Sequence, residues 1–177
     1  ADHEVEAQLR AMKSGVAPNL HALETYPVAK RTFDQGMENR SKQDEVMHIM
    51  EMDKVTTVDD EGGIDEIIDQ KLKNFGFNND KDYPYQGTKA QKDRYIERKN
   101  QMTQSEKAKY KLALSKAKLK LADEGIIHTD LGYGSEGDRR EDHLSYDPYS
   151  NEMQIIDYNE VEMYNHANNL HEHTKNK

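Results

Sequence analysis

Residues 105–161 read SEKAKYKLALSKAKLKLADEGIIHTDLGYGSEGDRREDHLSYDPYSNEMQIIDYNEV, and the reading of this block decides the fold. It divides into a charged helix, a tight turn at Gly125, a short apolar run into His128, Asp130 and Leu131, a polar insert, and a hairpin that ends at Asp157 and Tyr158. Asp130 and Asp157 each follow a pair of isoleucines and lie 27 positions apart. The spacing predicts a helix over 105–124, with Ser105 as N-cap and Gly125 at its end. Its apolar stripe is read as Ala108, Leu112, Leu119 and Ala122, widened by Leu114, Ala117 and Leu121. Lysines fill the rest of the surface and read as a solvated face.

Outside this block the chain is polar. Of its 177 residues 34% are hydrophobic and 33% charged, against roughly 45–50% apolar in an average globular domain. With a mean hydropathy of −1.12 the core must be small. The net charge of −9 argues against a nucleic-acid binder, which needs a basic face. It suits a basic partner, or simply solubility, and the long polar insert is a natural place for contacts with a protein partner or for oligomerisation. Without cysteine the chain has neither a disulfide scaffold nor a thiolate zinc site. No run of ~18 apolar residues and no signal peptide is visible, so no membrane span is expected. The expected location is cytoplasmic, within a host cell, or within a virion.

Towards the N-terminus, Asp2 to Lys13 places Val5, Leu9 and Met12 at helical spacing, and Ser14-Gly15 ends the helix. An extended piece is expected over Leu20 to Tyr26, then a polar loop from Pro27 to Gln43, then a strand over Glu45 to Met52. Ile64, Ile67, Ile68 and Leu72 lie on one side of a second helix, bounded by Gly62-Gly63 and Gly76. Phe77 to Thr88 reads as loop, and Ala90 to Lys99 as a separate short exposed helix. Tyr164 to Lys177 reads as a polar tail.

The helix, IIHTDL, loop, strand pair and IIDY order resembles the catalytic loop and metal-binding aspartate of the protein-kinase-like fold. The small C-terminal part resembles minimal or degenerate forms, as in bacterial effectors and phage proteins. The resemblance implies an α+β fold, a truncated kinase-like domain with a reduced N-lobe and a minimal C-lobe. It divides the chain into a partial N-lobe (1–52), a polar insert (53–103), a catalytic-loop-like core (104–163) and a tail (164–177). The order also implies that the first helix corresponds to the C-helix, with Glu4 or Glu6 as the acid that pairs with a phosphate-holding lysine. Glu51 and Met52 would then face the adenine, with Met50 at the gatekeeper place.

Phosphoryl transfer needs a carboxylate to orient the attacking hydroxyl and oxygen ligands for Mg²⁺. The resemblance places Asp130 in the first role and Asp157 in the second, with ATP and Mg²⁺ as cofactors of an active form and none otherwise. His128 matches the loop histidine, whose family role is chiefly structural. The second metal ligand is either Ser135, five positions after Asp130, or His143, if 134–142 is an insert. Thr129 stands where the family has arginine, so control by a phosphorylated activation loop is not expected. Gly132 stands for a common lysine, and Tyr158-Asn159 for Phe-Gly.

These departures, with no Gly-rich loop or strand lysine ahead of Asp2 and twenty positions after Asp157, imply a pseudokinase-type module acting through protein contacts. An active phosphotransferase using Asp130 and Asp157 is the alternative, and a phage structural or virion-associated protein is another. A further rival is an Fe(II) oxygenase-like site, in which His128, Asp130 and one of His166, His171 or His173 form a two-histidine, one-carboxylate set.

Overall fold

The computed structural model describes residues 2–28, 45–77, 87–131 and 141–164, which form a mixed α and β structure of three helices and small antiparallel sheets. Helix α1 is Asp2–Lys13, followed by β1 (Leu20–Val28) and β2 (Glu45–Met52). Next come α2 (Ile64–Asn74) and α3 (Lys89–Asp123). Strand β3 (Ile126–His128), a 3₁₀ turn (Glu141–His143), β4 (Leu144–Asp147), β5 (Glu152–Ile155) and β6 (Val161–Met163) complete the order. All three sheets are two-stranded: β1 with β2, β3 with β6, and β4 with β5.

The two C-terminal pairs nest. Leu144 lies opposite Ile155 and Tyr146 opposite Met153 in the β4–β5 hairpin. Outside it, Ile126 pairs with Met163 and His128 with Val161. The end of β3, the start of β4, the end of β5 and the start of β6 therefore come to one place. Strand alternation sends Leu144, Tyr146, Met153 and Ile155 inward. There they meet Tyr110, Ala113, Leu114, Ala117 and Leu121 of α3 and Ala7 and Ala11 of α1 in the main core. Main-chain bonds lock the layers: Ile155 N donates to Val16 O at 2.8 Å, and Val58 N to Leu144 O at 2.7 Å.

Helix α3 corrects the expectation of two separate segments. It is one helix of 35 residues starting after Thr88, whose hydroxyl accepts from Gln91 N while Gln91 Oε1 accepts from Thr88 N. This capping box satisfies two otherwise orphaned donors, and no glycine or proline interrupts the chain before Gly125. Ser105 is therefore interior to the helix and caps nothing. Of the expected stripe the widening residues Leu114, Ala117 and Leu121 are buried, whereas its main line through Leu112 and Leu119 is not. Leu112 and Leu119 are 54% and 65% exposed, and the inward line is Glu106, Tyr110, Ala113, Leu114, Ala117 and Leu121. Leucines stand on both sides of this helix, so periodicity alone did not choose the face. In α1, Leu9 is exposed where the spacing placed it inward. Gln8 is buried in its stead, with Nε2 donating to Pro18 O at 2.8 Å.

Strand β1 runs through Pro27 and Val28, which pair with Val46 and Glu45, so the polar loop begins later than expected. Residues 29–43 of that loop lie outside the described residues, as do most of the 77–88 loop and the tail beyond Tyr164. The stretch 53–103 supplies Val58 and Ile67 to the main core, while Ile68, Leu72 and Phe77 form a second cluster with Tyr95 and Met102 against them. Gly125 ends α3 with φ +74; a Cβ there would lie 2.3 Å from Tyr164 O, so both backbone conformation and space exclude a side chain. Among the described residues no helix is long and apolar enough to cross a membrane.

A candidate site where four strand ends meet

Three loops converge where the paired strands end. Asp130 lies two residues after β3, His143 directly before β4, and Asp157 two residues after β5. Strand pairing thus brings together groups that are far apart in the chain. Ile156 N donates to His143 O at 2.9 Å, which extends the hairpin by one bond and sets the loop of Asp157 beside His143. Asp157 itself has φ +61, a left-handed conformation that Asp tolerates better than most residues. Its Oδ1 accepts from Asn159 N at 3.3 Å, a local turn that supports this backbone.

His128 fastens the two aspartate loops together. Asp130 N donates to its Nδ1 at 3.2 Å, and its Nε2 meets Asp157 O at 2.6 Å. A carbonyl oxygen only accepts, so the proton sits on Nε2 and the ring is neutral with both nitrogens engaged. Burial pushes its pKa down, although the bonds to Asp157 and Ile156 act the other way. The Tyr158 ring packs edge-on against it at 5.6 Å. His128 is therefore a positioning residue. Both of its ring nitrogens are engaged with main chain.

His143 lies between the carboxylates. Its Nδ1 is 3.0 Å from Asp130 O and 3.6 Å from Asp130 Oδ2. Its Nε2 is 3.2 Å from Asp157 Oδ2 and 3.7 Å from Asp142 Oδ2. The ring is 6% exposed, while the Asp130 and Asp157 side chains are 25% and 46% exposed. Buried imidazole with two half-open carboxylates is an arrangement suited to cations and to proton transfer. Asp142 was not among the expected site residues, and only its position beside His143 signalled it.

The other expected residues fall elsewhere. Glu4 and Glu6 lie on α1, whose His3 Nε2 is 3.0 Å from Val161 O, so the first turn of this helix sits against β6. Glu6 forms an ion pair with Arg10, which also donates to Tyr164 O at 2.8 Å. Glu51 and Met52 end β2 on a different sheet from the carboxylates; the next residue, Asp53, is held by Asn19 O at 2.9 Å and by His21. The His21 bond keeps the Asp53 carboxyl below its usual range. Ser135, His166, His171 and His173 lie outside the described residues.

Two features had no clear signal in the sequence. Lys71 and Glu106 form a buried ion pair at 2.7 Å, and Lys71 Nζ also donates to Pro148 O at 2.7 Å. This pins α2 to α3 and to the β4–β5 turn. Beside it is a cleft of about 630 Å³, lined by Thr56, Glu61, Glu66, Ser145, Asp147 and Tyr149. The cleft is lined by neither Asp130, His143 nor Asp157; of its lining residues Ser145 is the nearest to them along the chain, two residues beyond His143.

Among the described residues no three His, Asp or Glu side chains form a ready metal-binding group. Of the residues expected as metal ligands, Asp157 Oδ2 and His143 Nε2 lie 3.2 Å apart. No family model, curated protein or solved structure matches the chain.

Proposed function

We propose that the chain is a reduced protein-kinase-like module whose cleft takes ATP and whose two aspartates act at its phosphates. One observation carries this reading: Asp130 and Asp157, 27 positions apart, share the imidazole of His143 at 3.6 and 3.2 Å. The 630 Å³ cleft beside the Lys71–Glu106 pair is of a size suited to a nucleoside.

Within this reading each residue has a separate task. Asp130 accepts the proton of an acceptor hydroxyl as its oxygen bonds to the γ-phosphorus and the bond to the β–γ bridging oxygen breaks, releasing ADP. The amide of Asp130 is held by His128 and its carbonyl by His143, so the carboxylate starts from a fixed backbone. Asp157, with His143, would hold the divalent ion. Such an ion, when bound, supplies neutralisation of the phosphate charge. His128 keeps the two loops in register.

Thermal-shift titration with ATP and a divalent cation tests the proposal. Wild type is expected to shift and Asp157→Ala to lose the shift. Asp130→Asn should keep the shift and lose transfer to a hydroxyl acceptor. No shift at millimolar ATP with either Mg²⁺ or Mn²⁺ ends the reading.

A second reading, a contact module of pseudokinase type, is favoured by the β1–β2 hairpin. Tyr26 and Met47 lie opposite each other, with Ile49 two positions along the same face, and all three are exposed. Sedimentation of wild type against Met47→Lys and Ile49→Lys tests association through that face. Identical monomeric behaviour of all three ends self-association there.

A further inference from the structure

We propose that the outer face of α3 is a docking seam for an acidic amphipathic helix of a partner protein, an inference independent of the nucleotide reading. Two exposed leucines on a helix mark nothing by themselves; their register and their flanks do. Leu112 and Leu119 stand seven positions apart and are 54% and 65% exposed. Ser105, Ala108, Ser115 and Ala122 complete the alternating three- and four-residue spacing of a coiled-coil seam, and none of the six is buried. The seam lies opposite the buried line of Tyr110, Ala113, Ala117 and Leu121. Helix α1 and the β4–β5 hairpin cover that inner line and leave the seam open. At 1.5 Å per residue it runs for about 26 Å.

The flanks decide the partner. With Leu112 and Leu119 at the a positions, the e and g positions beside the seam are Lys109 and Lys116 on one side and Lys111 and Lys118 on the other. All four are exposed. Between Glu106 and Asp123 there are six lysines and no acid, in a chain of net charge −9. Side chains at e and g pair across a helix interface and set its partner. A second copy would bring lysine against lysine, which disfavours it. Glutamates at those places on an incoming helix complete the pairing, as Glu106 does for Lys109 within α3 at 3.1 Å. Ala108, Ser115 and Ala122 leave room above the seam for leucines of that helix. An anionic bilayer is the poorer occupant, because two leucines without an aromatic residue offer little apolar area to insert.

The test uses a synthetic three-heptad peptide with leucine at a and d and glutamate at e and g, titrated calorimetrically onto the full chain. A matching peptide with lysine at e and g is the comparison. The glutamate peptide should bind one to one in the micromolar range and weaken with added salt, and the lysine peptide should not bind. Leu112→Ser with Leu119→Ser, both outside the core, should weaken binding about tenfold or more. Lys116→Glu with Lys118→Glu, one on each flank, should abolish the preference between the peptides. No binding of the glutamate peptide, equal binding of both by wild type, or binding untouched by the leucine pair overturns the proposal. Should the leucine pair fail to fold, a photoreactive leucine in the glutamate peptide decides: its cross-links to wild type must fall within 105–122, and cross-links elsewhere overturn it. A wild-type dimer in sedimentation that the leucine pair dissolves would give the seam to a second copy and overturn it. Binding to phosphatidylserine vesicles, lost in the leucine pair and without peptide binding, would give it to a membrane and do the same.

Discussion

His128 and Asp157 are joined by a 2.6 Å hydrogen bond from the imidazole to a main-chain carbonyl, across 29 positions of chain. The same ring accepts from Asp130 N, so a single side chain stands in for the sheet where β3 and β5 have ended. Replacing it with alanine leaves two main-chain groups without this partner, at about 1–3 kcal/mol each. His128→Ala should therefore lower unfolding stability in urea by about 2–5 kcal/mol. Full stability in that variant would mean that the two loops hold themselves.

Acid should act on the same clamp. Burial holds the His128 pKa below its ordinary value of 6.5, so the unfolded chain takes up the proton more readily. The neutral clamp contributes fully above about pH 6.5 and is lost as pH falls through the lower folded value. Wild-type stability should fall across that interval, and His128→Ala should flatten the fall. A parallel pH profile of the two proteins would exclude this histidine as the source.

The pair of Lys71 and Glu106 is expected to be sensitive to loss of one partner. Burial opposes the charge on Glu106, yet the bonds to Lys71 and Lys109 outweigh it and hold the carboxyl below its usual range. Its contribution is present above the unfolded carboxyl pKa and disappears as pH falls through the depressed one. Removing one partner of a buried pair costs about 3–5 kcal/mol, whereas replacing both with apolar groups is close to neutral. Lys71→Met alone should thus destabilise strongly, and Lys71→Met with Glu106→Leu should recover most of the loss. Equal damage in single and double variants, by chemical denaturation, would contradict this.

Tyr158 is buried against His128, and among the described residues its hydroxyl has no hydrogen-bond partner. Burial also pushes the pKa of that hydroxyl well up. An unsatisfied buried hydroxyl is destabilising by about 1–3 kcal/mol, so Tyr158→Phe should raise the melting temperature. A lower melting temperature would reveal a bond to this oxygen.

The orientation of α3 gives a paired test. Leu121 is buried in the main core, whereas Leu119 is exposed. Leu121→Ala should cost about 2–5 kcal/mol, and Leu119→Ala should stay within about 0.5 kcal/mol. Comparable losses at both positions would mean that both faces of the helix are covered.

The bounds of α1 and β2, the helix beginning at Ile64 and the two aspartates behind apolar runs are legible in the chain itself. Each rests on a local cause: helical or alternating spacing, a glycine stop, or a short β-branched run. Facing and convergence are different in kind. In a lysine-rich helix the spacing reads as one broad apolar stripe holding Leu112, Leu114, Leu119 and Leu121, and only the packing of α1 and the β4–β5 hairpin buries Leu114 and Leu121 and leaves Leu112 and Leu119 exposed. The buried pairing of Lys71 with Glu106 spans 35 positions and leaves no periodic trace. Nor did spacing separate Ser135 from His143 as the group beside the aspartates. His143 stands between them because the β4–β5 hairpin, nested within the β3–β6 pair, delivers its own first turn to the gap. Local spacing carries the elements; strand pairing, which is non-local, carries the site.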